Sequence, residues 1–239
     1  MQANTTRWLT RRPVASALVG LVALGTLTVL PSRETTALGA LSGPARVVDG
    51  DTIEVGGERV RLEGIDAPES AQTCQRSDGK AWSCGKAAAK ALERLVAGAR
   101  VTCEERGLDK YGRTLGICNA SGRDINAEMV REGFAWAFVK YSQSYVAVEA
   151  QARAQGAGIW QGKAEPAWDF RARQWAGAED TAPQGCAIKG NVTAHGHIYH
   201  MPWSPWYGKV KVDELRGERW FCSEADALAA GWRPAAVVH

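Results

Sequence analysis

"RVVDGDTIEVGGERVRLEGIDAPE", residues 46–69, decides the fold. Its apolar residues (Val47, Val48, Ile53, Val55, Val60, Leu62 and Ile65) recur with the near two-residue period of half-buried strands. Gly56-Gly57 sits between two such runs and is a two-residue hairpin signal. Acids at Asp49, Asp51, Glu54, Glu63, Asp66 and Glu69 share the stretch with Arg61. It therefore reads as two or three strands that also carry a dense set of charges.

Working outward, residues 66–80 are polar, and "WSCGKAAAKALERLVAG" reads as a helix stopped by Gly98. "RVTCEE" and "RTLGICNA" form a second strand pair across the loop "RGLDKYG". Asn126 is placed to cap the short helix "NAEMVREG", and a further helix covers "SYVAVEAQARAQGAG". Three strands, a helix, two strands and closing helices fit an α+β domain built on a five-stranded oligonucleotide-binding (OB-fold) barrel. "AGAEDTAPQG" is small, polar and rich in Pro and Gly, which marks a linker at 176–185. The predicted organisation is a targeting segment at 1–40, the barrel domain at 41–175, the linker, and a small C-terminal module at 186–239.

At 239 residues the chain has room for a core and a satellite domain. A net charge of +3 permits nucleic-acid binding without arguing for it, because only a local basic patch is required. "MQANTTRWLTRRP" is basic and acid-free, and residues 14–30 are uncharged and mostly apolar, followed by small residues. That layout predicts an export signal. The apolar run is at the lower limit for spanning a bilayer, so an uncleaved membrane anchor through 14–30 stays open. Six cysteines in an exported chain predict disulfides. Their layout favours nearest neighbours: Cys74–Cys84 around a polar loop, Cys103–Cys118 between pairing strands, and Cys186–Cys222 closing the C-terminal segment. Residues 41–175 lack a CxxC pair or Cys/His zinc spacing, which argues against structural zinc.

Phosphodiester hydrolysis needs positive charge opposite the pentavalent transition state and a group that positions or deprotonates water. A hard cation needs oxygen ligands. Asp51 starts one strand, Asp66 ends another, and Glu69 follows under the restriction of Pro68. If the strands pair, these acids converge near Arg61, and "DKYGR" adds Arg113. Each fragment alone is most often an ordinary turn or a surface residue.

Taken in order, "DGDT", "RLEGIDAPE", "DKYGR" and "NAEMVREG" resemble the thermonuclease, or staphylococcal-nuclease-like, family over roughly residues 44–160. That resemblance implies a calcium-dependent nuclease with little sequence specificity for DNA or RNA. It implies Asp51, Asp66 and the backbone carbonyl of Ala67 as Ca2+ ligands, and Arg61, Glu69 and Arg113 as catalytic residues. Lys110 and Tyr111 match residues that flank the bound nucleotide. Ala67 departs from the family's usual Thr, but a backbone ligand survives that change. The rival reading is a non-catalytic OB-fold protein that binds nucleic acid or envelope polymer; loss of the acids or arginines would mark it, and all five are present.

The segment from Cys186 is rich in aromatics and holds His195, His197 and His200. It reads as a disulfide-stapled module rather than a metal site, and it resembles small modules appended to bacterial nucleases and wall- or DNA-associated proteins. Binding of nucleic acid or envelope polymer through basic and aromatic residues is the expected role. The expected assembly is a monomer, exported to the periplasm, secreted, or anchored outside the cytoplasm.

Overall fold

A computed structural model describes residues 40–109 and 111–235. The apolar segment at 14–30 and Lys110 lie outside the described residues. Among the described residues no helix is long and apolar enough to cross a membrane.

The first sheet is built from β1 (Ala40–Val47), β2 (Thr52–Val55), β3 (Glu58–Leu62), and, after several short strands and a helix, β7 (Arg100–Leu108) and β8 (Thr114–Ala120). β1 serves two neighbours: its first half pairs with β7 and its second half with β2. β2 and β3 form the expected hairpin, with Gly56 and Gly57 at φ +62° and +90°, the left-handed region in which glycine has no Cβ to clash. The β7–β8 pair is irregular between Glu105 and Gly107, which lets the sheet curl. A parallel β3–β8 pairing then closes the five strands into a barrel. Its interior is apolar: Ile53, Val55, Val60, Leu62, Val101 and the Cys103–Cys118 disulfide are buried.

Between the two halves run β4 (Ile65–Asp66), the small hairpin β5 (Cys74–Gln75) and β6 (Ala81–Trp82), and α1 (Cys84–Val96). The α1 sequence turns Ala88, Ala91, Leu92, Leu95 and Val96 to one face, and all are buried against the barrel. After β9 (Arg123–Asp124), helix α2 (Ile125–Arg131) is capped by Asp124, whose carboxylate accepts the Ala127 N–H at 3.0 Å. Asn126 therefore does not cap it. Asn126 lies in the first turn, buried, and its amide donates to the carbonyls of Glu63 and Gly116 while accepting from the Cys118 N–H. A residue one turn from the barrel wall can satisfy strand groups, which removes it from capping duty.

β10 (Trp136–Ala137) pairs with β4, and α3 (Val146–Ala154) follows. α4 (Ala167–Glu179) has no counterpart in the sequence reading and runs four residues into the stretch read as linker. The remaining chain makes a four-stranded sheet in the order β13-β11-β12-β14: β11 (Ile188–Thr193), β12 (Gly196–His200), β13 (Arg219–Phe221) and β14 (Arg233–Pro234), with α5 (Glu224–Ala229). Ile188, Tyr199, Phe221, Ala227 and Trp232 form its core. The three disulfides join Cys74–Cys84, Cys103–Cys118 and Cys186–Cys222, the nearest-neighbour pattern expected.

Candidate active site

The "DGDT" turn brings the acids together by close packing. A Cβ on Gly50 would stand 2.7 Å from the Ala67 Cβ and 3.0 Å from that of Ala88, so only glycine lets this turn press onto the β4 end and α1. Asp51, 5% exposed, then accepts the Ala67 N–H at 2.9 Å. The β2–β3 register places Thr52 opposite Arg61, and the Leu62 N–H donates to the Asp51 carbonyl, so Arg61 rises beside Asp51. Its guanidinium donates to Asp51 Oδ1 at 2.6 Å and to Asp66 Oδ1 at 2.9 Å. Asp66 is fully buried.

Glu69 stands on the loop after Pro68. Gln72, itself buried, accepts the Glu69 N–H and donates to the Glu165 carbonyl at 2.6 Å, tying this loop to the chain that leads into α4. α1 also presses on it: a Cβ on Gly85 would overlap the Glu69 carbonyl.

Arg113 immediately precedes β8, which pairs with β3, but its guanidinium donates to Asp109 Oδ2 at 2.7 Å and lies 5.5 Å over the Tyr111 ring. Its charge reaches Asp51 without a direct contact. Arg61 thus contacts both Asp51 and Asp66, Glu69 joins them through one further side chain on α4, and Arg113 with Tyr111 sits to one side.

That residue is Arg171, in the second turn of α4. It donates to both Asp66 oxygens, at 3.1 and 2.7 Å, and to Glu69 Oε1 at 2.7 Å. Sequence reasoning gave it no role, because Arg171 and Asp66 are separated by 105 residues and no motif joins them.

The charges set the protonation states. Burial opposes ionisation of Asp51, but Arg61 and the Ala67 N–H outweigh it and hold the carboxyl below its usual range. Burial raises Glu69 to about 7 even though Arg171 pulls the other way. Half-buried Asp49, whose carboxylate accepts the Asp51 N–H, is raised to about 6 by burial and by the Asp51 charge. Four acids face Arg61 and Arg171 in this pocket, and the Asp51 charge adds to burial in raising both Asp49 and Glu69. Among the described residues, no group of three or more His, Cys, Asp or Glu side chains is arranged to hold a metal. The three histidines do not gather either: His197 stacks on Trp232 at 4.8 Å, and His200 is buried against Asn191.

A family model described as staphylococcal nuclease homologue matches residues 59–162, and a second, described as ArfC, matches residues 170–234. The succinoglycan biosynthesis protein ExoI of Rhizobium meliloti (strain 1021) is 37% identical over 165 residues, covering 66% of this chain and 86% of the relative. A protein of Escherichia coli named as an uncharacterized endonuclease is 39% identical over 137 residues, covering 54% and 83%. A micrococcal nuclease of Shigella flexneri is 38% identical over 144 residues, covering 53% and 77%.

Proposed function

Because this chain belongs to the staphylococcal nuclease homologue family, we propose that it is an exported nuclease that hydrolyses phosphodiester bonds of DNA or RNA with a calcium ion and little sequence specificity. One observation carries this reading: Arg61 bridges buried Asp51 and Asp66 at 2.6 and 2.9 Å on the wall of an oligonucleotide-binding barrel.

The donor set suits a hard cation in kind, being carboxylate and backbone oxygen in a pocket short of positive charge. Asp51, Asp66 and the Ala67 carbonyl would hold it, and Glu69 lies close enough to serve through water. A bound divalent cation draws charge from a phosphate oxygen and acidifies a water. Glu69, raised to about 7 by burial, is a base matched to neutral pH and the group to hold or deprotonate the attacking water. Arg61 engages two of its five N–H donors with the acids, and the others would bind a phosphate. Arg113 would leave Asp109 for the same task, with Tyr111 and Lys110 alongside the nucleotide.

Three disulfides suit an oxidising compartment, which supports export. The C-terminal module offers basic and aromatic pairs such as Lys209 over Trp206 at 4.6 Å, the composition of a polyanion- or polymer-binding surface. Digestion of duplex DNA and of RNA by the full chain tests the activity. Excess chelator and Asp51→Asn are each expected to reduce the rate by at least ~100-fold, the usual effect of removing one charge-stabilising group. Undiminished cleavage under chelation would overturn the metal-dependent reading.

A further inference from the structure

Arg171 occupies the acids that a cation would need. A carboxylate offers two oxygens and about four lone-pair directions. On fully buried Asp66, three are taken: Oδ1 accepts from Arg61 and Arg171, and Oδ2 accepts from Arg171. Glu69 is bound through Oε1 to the same guanidinium. The side chain of Arg171 is only 21% exposed, so these are charge-assisted bonds in a desolvated setting rather than a surface pair.

The helix that brings it is firmly seated. Ala167 is buried beside the Cys74–Cys84 disulfide, and Trp168 stacks on Phe138 at 5.5 Å. Upstream, a Cβ on Gly162 would overlap the Gln75 carbonyl, and Gln75 N–H donates to the Lys163 carbonyl. Ala167, Arg171 and Trp175 lie four residues apart on one helical face. Trp175 continues into the C-terminal core, 6.3 Å from Trp203. Arg171 also falls outside the span matching the nuclease family and inside the span matching the second family. The segment matching the second family therefore supplies this arginine, although it lies within the 41–175 stretch read as the barrel domain.

We propose that Arg171 is a built-in cation surrogate, competing with the divalent cation for Asp66 and Glu69, so that loading the site requires Arg171 to withdraw. This rests on the calcium reading above. The two cations do the same electrostatic work, since each offsets the surplus of buried acid left by Arg61. They compete for Asp66, because two of its three occupied acceptor directions, one on each oxygen, are held by Arg171. The appended module thereby restrains the nuclease site through α4.

The test is calcium chloride titrated calorimetrically into the chelator-stripped full chain without nucleic acid. Arg171→Gln is expected to bind calcium about ten- to hundredfold more tightly than the wild type, the equivalent of one or two charge-assisted hydrogen bonds released from competition. Arg171→Lys, a point charge without the fork, falls between them. Arg173→Gln removes a positive charge from the same helix, but Arg173 pairs with Glu165 at 2.8 Å, outside the site. It stays within about twofold of the wild type, because a screened surface charge does little. Stripped Arg171→Gln also melts at a lower temperature than the stripped wild type and gains more from added calcium. If this variant folds only when calcium is added, that supports the competition as well. Equal or weaker calcium affinity in Arg171→Gln, or an equal gain in Arg173→Gln, overturns the proposal and leaves the calcium reading standing. Absence of calcium binding in all four proteins overturns the calcium reading itself, and the competition with it.

Discussion

Arg61→Ala separates the structural work of this arginine from its catalytic work. Its side chain is 15% exposed and joins Asp51 and Asp66, whose side chains are 6% and 0% exposed. Removing one partner of a buried ion pair costs about 3–5 kcal/mol, because the remaining charge is stranded. Here both acids keep other donors: Asp51 has the Ala67 N–H and the Thr52 hydroxyl, and Asp66 has Arg171. The lower end, ~3 kcal/mol, is therefore expected. For a chain of this length each kcal/mol moves the melting temperature by roughly 2–4 °C, so the variant should melt about 6–12 °C lower. The assay is thermal unfolding by circular dichroism at pH 7 in excess chelator, with Arg61→Lys as the charge-preserving comparison. Lysine keeps the charge but cannot bridge two carboxylates with a fork, so its loss should be smaller. DNA cleavage by Arg61→Ala with calcium present should fall ~100- to 1000-fold, far beyond what partial unfolding at 25 °C explains. An unchanged melting temperature for Arg61→Ala in chelator would refute the assignment of Arg61 as the clamp between the two acids.

Gly50→Ala should destabilise by about 1–3 kcal/mol and slow cleavage, since the new methyl meets Ala67 and Ala88 and pushes Asp51 from the Ala67 N–H; melting and rate are measured together. Replacing Cys74 and Cys84 by serine together opens a loop with a sequence separation of 10 and should cost ~3 kcal/mol in denaturant unfolding. Asp109 is held below its ordinary range: burial opposes its charge, but bonds and charge from Arg113 outweigh burial. A depressed carboxyl stabilises the fold above its unfolded value of about 3.9 and loses that contribution as pH falls through the folded value. Melting curves of wild type and Asp109→Asn should therefore differ at pH 7 and converge below about pH 4, where an unchanged gap would contradict the pairing.

Much of the barrel was legible because its signals are short-ranged. The alternation through Ile53, Val55, Val60 and Leu62, the Gly56-Gly57 turn and the α1 stripe each depend on neighbours within one or two turns of chain. They all became the elements expected. The cysteine pairing was legible for the same reason, since the first two disulfides close loops with separations of only 10 and 15. Asn126 shows where local reading fails: its type suits a cap, yet a strand of the barrel lies within reach and takes its amide.

The order of acids and arginines along residues 49–113 was in the sequence, and so was their capacity for phosphodiester chemistry. Which guanidinium meets which carboxylate was not. Arg61 finds Asp51 through strand register, a local consequence of the hairpin. Arg171 finds Asp66 only because α4 is seated on an aromatic cluster drawn from Trp82, Trp136, Phe138 and Trp160, pieces remote in sequence. A charge is satisfied by whatever opposite charge the packing delivers, and packing is decided by shape and burial over the whole chain. Sequence alone therefore determined a barrel with an acidic, arginine-bearing wall, and the tertiary structure decided that α4 places a cation of its own there.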